Sequence, residues 1–220
     1  MSVPVLKLLL ADDHEITRHG VRSLLEAELD CEVVGEAADG RQAVELATKL
    51  RPDVVILDIG MPELNGLEAM RQILKIRPQT KILILTMYDS DYLIRQVLDA
   101  GACGFILKSD ARRDLVAAME SLRRNETYFT SRVSQIILDG FLKGDSGPAI
   151  SEADAVRLTP REREIVQLLA EGKSSKEVAF TLNLSVKTAE THRSNIMRKL
   201  DCHSVSELVR FAIRNKIIEV

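Results

Sequence analysis

Val54-Val55-Ile56-Leu57-Asp58 is an unbroken apolar run closed by one carboxylate, and its form recurs through the first half of the chain. Leu6–Ala11 (LKLLLA) runs into Asp12 and Asp13, Lys81–Leu85 (KILIL) into Thr86, and Gly104–Leu107 (GFIL) into Lys108. Short apolar runs bounded by polar turns read as strands buried on both faces, as in a parallel sheet covered by helices on each side. In such sheets ligand groups gather at the carboxyl ends of the strands. Here those ends carry three carboxylates, a hydroxyl and an amine.

Outward from these runs, strands are expected at Leu6–Ala11, Glu32–Ala37, Val54–Leu57, Lys81–Thr86 and Gly104–Leu107. Helical periodicity fills the intervals at Glu15–Glu28, Gln42–Leu50, Gly66–Ile76 and Asp91–Ala100, with a last helix at Arg112–Leu122. Five alternations of strand and helix imply a doubly wound (βα)5 parallel-sheet domain with right-handed crossovers. Thr130–Leu142 then places Val133, Ile136, Ile137 and Phe141 at helical spacing, which reads as an extra amphipathic helix. Lys143–Arg157 is small, polar and contains Gly-Pro, the composition of a flexible linker.

Of the 220 residues 45% are apolar and 29% charged, which favours a packed protein over a disordered one. No apolar run approaches the roughly 18 residues of a membrane span, and no signal peptide is visible. Cys31, Cys103 and Cys202 are odd in number, far apart and without a CxxC pair. That usage points to a cytoplasmic location and away from a zinc site. Met1–Asp154 holds 18 basic against 25 acidic residues, a net of −7, whereas Ala155–Val220 holds 12 against 8, a net of +4. An acidic front and a basic rear suggest two domains with different partners.

The clustered polar residues define a chemistry. A carboxylate attacks a phosphoryl group only when the incoming negative charge is neutralised. Mg2+ does this, and it prefers one or two carboxylates with backbone oxygens and phosphate oxygens. Asp12 and Asp13 are placed to hold the metal, Asp58 to act as nucleophile, and Lys108 and Thr86 to meet phosphoryl oxygens. Any one of these residues alone reads as a cap or a solvated charge. Four strand ends of one sheet carrying them together do not.

The stretches LLLADDHEITRHG (8–20), LDIGMPELNG (57–66), LILTM (83–87) and AGACGFILKSD (100–110) resemble the receiver domain of bacterial two-component response regulators. The resemblance spans Leu6 to Arg124. It implies that Asp58 accepts phosphate from a sensor histidine kinase, and that Asp12, Asp13, Asp58 and the backbone carbonyl of Gly60 ligate Mg2+. It further implies that Thr86 moves toward the phosphoryl group while Phe105 rotates inward behind it. Gly60 and Tyr88 take positions that line the approach of water in receivers. The chain departs from the family's Lys-Pro pair, with Ser109 following Lys108.

The rear of the chain reads as four short helices with marked starts. Thr159-Pro160-Arg161-Glu162, Ser174-Ser175-Lys176-Glu177 and Ser204-Val205-Ser206-Glu207 are capping-box sequences, Ser185 is an N-cap, and Gly172 suits a left-handed helix end. Helix Ser174–Leu182, a turn through Asn183-Leu184, and helix Val186–Leu200 form a helix-turn-helix. Leu158–Ile213 resembles the LuxR-type helix-turn-helix domain. On the second helix Ala189, Ile196 and Leu200 form a core stripe. Lys187, Glu190, Thr191, Ser194 and Arg198 lie on the opposite face, the one a recognition helix presents to the major groove. Lys187, Arg193, Arg198 and Lys199 suit phosphates, while Glu190 and Thr191 suit base edges. Thr188 and His192 are candidates for backbone hydrogen bonds. Leu208, Val209, Ala212 and Ile213 share a stripe on the last helix, Val205–Arg214, which in the resembled family also forms the dimer contact.

The chain is thus identified as a member of the NarL/FixJ response regulators. Expected domains are a receiver at 1–125, a linker helix and flexible linker at 126–157, and a DNA-binding domain at 158–220. Expected partners are a sensor histidine kinase, double-stranded promoter DNA and, on activation, a second copy of the chain. A haloacid-dehalogenase-type phosphatase would need a second Asp two residues after the first, where Gly60 stands.

Overall fold

The computed structural model describes residues 5–142 and 158–218, so the linker expected at Lys143–Arg157 and the side chain of Phe141 lie outside the described residues. The described chain divides into two compact units, one built on a sheet and one on four C-terminal helices.

The first unit runs β1 (Leu6–Ala11), α1 (Glu15–Glu28), β2 (Cys31–Ala37), α2 (Gly40–Leu50), β3 (Val54–Leu57), α3 (Gly66–Ile76), β4 (Lys81–Thr86), α4 (Asp91–Asp99) and β5 (Gly104–Leu107). A 3₁₀ turn at Lys108–Asp110 leads into α5 (Ala111–Arg123), followed by β6 (Tyr128–Phe129) and α6 (Ser131–Leu142). The strands form one sheet in the order β2-β1-β3-β4-β5-β6, every neighbouring pair parallel.

Alternation along the strands explains why both faces are covered. Leu9, Val55, Leu57, Ile82, Ile84 and Phe105 pack on one side with residues of α2, α3, α4 and α6. Their neighbours Leu8, Leu10, Val54, Ile56, Leu83, Leu85 and Ile106 pack on the other with α1 and α5. Successive side chains point to opposite faces, so a run apolar at every position needs helices on both. The sequential order reverses between β1 and β3, and the crevice at such a switch point is where doubly wound sheets bind ligands.

The doubly wound parallel fold is as expected, and its sheet gains one strand. Tyr128 pairs with Gly104 and Phe129 with Phe105, and Val133 and Ile136 of α6 join the core. The sheet unit thus continues past residue 125, through β6 and into α6. Two residues are too short a strand to show alternation. The aromatic pair nevertheless spans the sheet edge, Phe129 packing on one core and Tyr128 on the other.

The second unit comprises α7 (Pro160–Ala170), α8 (Ser175–Thr181), α9 (Val186–Lys199) and α10 (Val205–Arg214) around Ile165, Val166, Leu168, Val178, Ala189, Ile196, Leu208 and Ala212. Thr159 and Glu162 make a complete capping box, as do Ser174 and Glu177, and Ser185 caps α9 by accepting from Thr188 N–H. The third box is half formed. Ser204 accepts from Glu207 N–H, but the Glu207 carboxylate accepts instead from His203 N–H, one residue earlier. Gly172 (φ 88°) ends α7 in a Schellman motif, with Gly172 N–H donating to Leu169 O and Lys173 N–H to Leu168 O. Asn183 (φ 52°) ends α8 in the same way, with bonds to Phe180 O and Ala179 O, which makes the turn between α8 and α9.

Candidate functional site

The carboxyl ends of β1 and β3 bring Asp12 and Asp58 together. Both are buried, at 5% and 4% exposure, while Asp13 is exposed beside them. One donor atom from each of Asp12, Asp13, His14 and Asp58 lies within 4.8 Å of the others. The donors available are carboxylate oxygens and one imidazole nitrogen, and the carboxylates suit a hard cation such as Mg2+ or Ca2+. The donor set thus fits a metal site.

Each carboxylate is oriented by backbone groups. Asp12 Oδ1 accepts from His14 N–H at 2.8 Å. Asp58 Oδ1 accepts from Ile59 N–H at 2.7 Å and, at longer range, from Gly60 N–H at 3.5 Å. Asp58 N–H donates to Ala11 O at 2.8 Å, tying the end of β3 to β1.

Lys108 closes the cluster from the start of the 3₁₀ turn after β5. Its ammonium lies 2.8 Å from Asp12 Oδ2 and 2.5 Å from Asp58 Oδ2. Burial works against its charge, but hydrogen bonds to Asp12 and Asp58 outweigh burial and hold its pKa above the ordinary lysine range. Lys108 thus bridges the two carboxylates directly. The Lys108–Ser109 bond is trans, as are all peptide bonds of the described residues.

Thr86 ends β4 fully buried, and its Oγ1 accepts from Tyr88 N–H at 3.4 Å. Phe105 is 1% exposed and already packed in the core beneath. Tyr88 is half-buried against the same core. Two residues outside the expected set also shape the site. A Cβ at Gly66 would sit 1.9 Å from Asp58 O, so only glycine allows α3 to start against the end of β3. Arg18 of α1 donates to Asp12 O at 2.6 Å. Glycine opening a helix after ELN is a readable signal for the first, whereas an arginine on a helix carries none.

In the helical unit α9 exposes Lys187, Thr188, Glu190, Thr191, Ser194, Arg198 and Lys199, with His192 and Arg193 half-buried and Ala189 and Ile196 buried. Four of the exposed groups are engaged within the unit. Thr188 Oγ1 lies 2.7 Å from Ser185 Oγ, Thr191 Oγ1 donates to Lys187 O, Arg198 Nη2 donates to Asn195 Oδ1 at 3.0 Å on the same helix, and Lys199 Nζ donates to Glu162 Oε2 at 2.6 Å. Glu162 is partly desolvated, yet Lys199 and the backbone of Thr159 hold its pKa below the usual carboxylate range. Lys199 therefore ties α9 to the start of α7.

A family model described as response regulator receiver domain matches residues 8–120, and one described as bacterial regulatory proteins, luxR family, matches residues 156–212. The oxygen regulatory protein NreC of Staphylococcus carnosus is 39% identical over 216 residues, covering 97% of this chain and all of that protein. NreC of Staphylococcus haemolyticus is 38% identical over the same coverage. The RcsB response regulator of Salmonella typhimurium superposes with a TM-score of 0.58 at 30% identity, over 95% of this chain and 98% of that one. The RcsB–DNA complex matches with a TM-score of 0.58 at 30% identity, over 94% of this chain and 98% of that one.

Proposed function

The chain belongs to the bacterial two-component response regulators of the NarL/FixJ type and is a transcription factor, and from that premise we propose that Asp58 is its phosphoacceptor. The reading rests on one observation above all: Lys108 bridges Asp12 and Asp58 at the switch point of the sheet.

The donor in this reading is a phosphohistidine of a sensor histidine kinase. The Asp58 carboxylate forms a bond to phosphorus as the bond from phosphorus to the kinase imidazole breaks. Ile59 N–H and Lys108 fix the orientation of the attacking group at both of its oxygens. Asp12, Asp13, Asp58 and the Gly60 carbonyl would hold Mg2+, which when bound would supply charge neutralisation at the phosphoryl oxygens. Lys108 then transfers its hydrogen bond from Asp58 Oδ2 to a phosphoryl oxygen, and Thr86 donates its hydroxyl to another. Phe105 fills the space behind Thr86. The same site hydrolyses the acyl phosphate, the one reaction the receiver catalyses besides its own phosphorylation.

The output is DNA binding. Lys187, Arg193 and Arg198 meet backbone phosphates, Glu190 and Thr191 meet base edges, and Thr188, His192 and Ser194 complete the groove-facing surface. Lys199 contributes through its tie to Glu162. On α10, Leu208 and Ala212 are buried, whereas Val205, Val209 and Ile213, four residues apart, stay partly exposed. That second stripe supports a two-fold dimer on a palindromic site. The domains of this reading are a receiver at 1–125, a linker region at 126–157 whose β6 and α6 pack onto the receiver sheet, and the DNA-binding domain at 158–220. The protein works in the cytoplasm. Among the described residues no helix is long and apolar enough to cross a membrane.

The test is intact-mass measurement after incubation with Mg2+ and acetyl phosphate. The parent chain gains one phosphoryl group and Asp58→Asn gains none. Equal modification of both chains places the acceptor elsewhere.

A further inference from the structure

Asp12 has a polar group for every direction, and the structure accounts for each. Its N–H donates to Ala37 O at 3.1 Å, its Oδ1 accepts from His14 N–H, and its Oδ2 meets Lys108. Its carbonyl is the exception to backbone pairing. The β1–β2 and β1–β3 ladders both end one residue earlier, at Ala11. A buried carbonyl left without a donor is costly, and here the donor is a side chain: Arg18 Nη1, at 2.6 Å.

Arg18 is itself held. Its Nε donates to Glu36 Oε2 at 3.1 Å, and the other Glu36 oxygen meets Arg22 Nη2 at 3.0 Å. Glu36 lies on β2 beside Leu10 of β1, so the guanidinium is anchored to the neighbouring strand. Arg18, Asp12 and Asp58 also line one cavity of about 10 Å³. That is at the limit for a single water, and the guanidinium is held there by its bonds to the Asp12 carbonyl and Glu36.

We propose that Arg18 is a positioning residue for the cation site, fixing through the Asp12 carbonyl the Asp12–Asp13 peptide plane that aims both carboxylates, while Glu36 balances its charge. The inference rests on the reading of Asp12 and Asp13 as Mg2+ ligands. Two opposed effects make it decidable. A guanidinium near the site repels a divalent cation, so an arginine acting by charge alone weakens Mg2+ binding and its removal strengthens it. An arginine acting by position strengthens binding, and its removal weakens it. Glu36 lets position prevail, because the carboxylate offsets the charge and leaves the donor in place.

The experiment is calorimetric titration of the full chain with Mg2+ alone, with the melting temperature in EDTA as a check on the fold. Groups that orient metal ligands from behind carry roughly ten-fold or more in metal affinity, so Arg18→Met is expected to raise the Mg2+ dissociation constant by about that factor. An unchanged or lower constant in a folded Arg18→Met overturns the proposal. Should that variant fail to fold, Glu36→Gln decides. It keeps the donor but removes the carboxylate charge beside Arg18, Arg22 retaining Glu26 at 3.8 Å, and is expected to weaken Mg2+ binding roughly threefold at low ionic strength, an effect that shrinks as salt is raised. Wild-type affinity in Glu36→Gln at low salt overturns it. No Mg2+ binding by the parent chain defeats the metal-site reading itself, which separates that failure from a failure of Arg18.

Discussion

At the scale of single residues, Lys108 carries the heaviest electrostatic duty, holding two buried carboxylates together. Removing one partner of such a cluster leaves uncompensated buried charge and costs roughly 3–5 kcal/mol. Lys108→Met should therefore lower the melting temperature sharply in EDTA and much less in saturating Mg2+, which takes over the neutralisation. Equal losses in both conditions would reject the cation site. The lysine also sets an alkaline limit. Its pKa is raised in the folded state, so its stabilisation is present in full below the ordinary lysine range and is lost as pH rises through the elevated value. The stability difference between parent and Lys108→Met, followed by urea unfolding, should shrink only at that upper end. Gly66 acts by absence instead. The Cβ of Gly66→Ala meets Asp58 O at 1.9 Å, and such overpacking costs about 1–3 kcal/mol. Because the displaced atom belongs to Asp58, phosphorylation by acetyl phosphate should fall more than stability does.

At the scale of elements, α6 and the helix caps behave differently from one another. Val133 is 1% exposed in the sheet unit's core, and truncation to Ala removes two buried methyl groups, about 2 kcal/mol with the cavity left behind. Arg132, on the same helix, pairs with Asp89 through exposed side chains, so Arg132→Ala should cost under about 1 kcal/mol. Equal denaturation midpoints for Val133→Ala and parent would remove α6 from the sheet unit's stabilising core. Strands β1, β3, β4 and β5 were legible because an apolar run at every position has one physical meaning, burial on both faces. β6 was not, since Tyr128 and Phe129 are strand only through their pairing with β5. The caps at Thr159, Ser174 and Ser185 were legible because an N-cap is a local hydrogen bond. The third capping box was only half legible, because Glu207 had two backbone donors within reach and took His203.

At the scale of the whole molecule, charge and assembly govern the output. Each DNA phosphate that a side chain no longer neutralises lowers the slope of log affinity against log salt by about 0.9. Arg198→Ala should reduce the slope for promoter DNA by that amount and Lys199→Ala should leave it near the parent value, since Lys199 is committed to Glu162. A reduced slope in Lys199→Ala would return that residue to the DNA surface. Assembly is read by solution mass in Mg2+ before and after beryllofluoride, which stands in for the phosphoryl group on Asp58. The parent should shift from monomer to dimer, Asp58→Ala should not, and a shift in both would detach dimerisation from the acceptor.

The sequence alone determined the doubly wound sheet, the residues gathered at its carboxyl edge, and a four-helix unit with a helix-turn-helix. Each of these follows from periodicity, strand ends or local caps, which are properties of neighbouring residues. Tertiary structure decided the rest. It placed Arg18 on the Asp12 carbonyl, Gly66 against Asp58, Lys199 on Glu162, and Tyr128-Phe129 on the edge of the sheet. Each of these four partnerships joins residues on different elements, and no spacing along a chain reports which side chain will be nearest once separate elements pack.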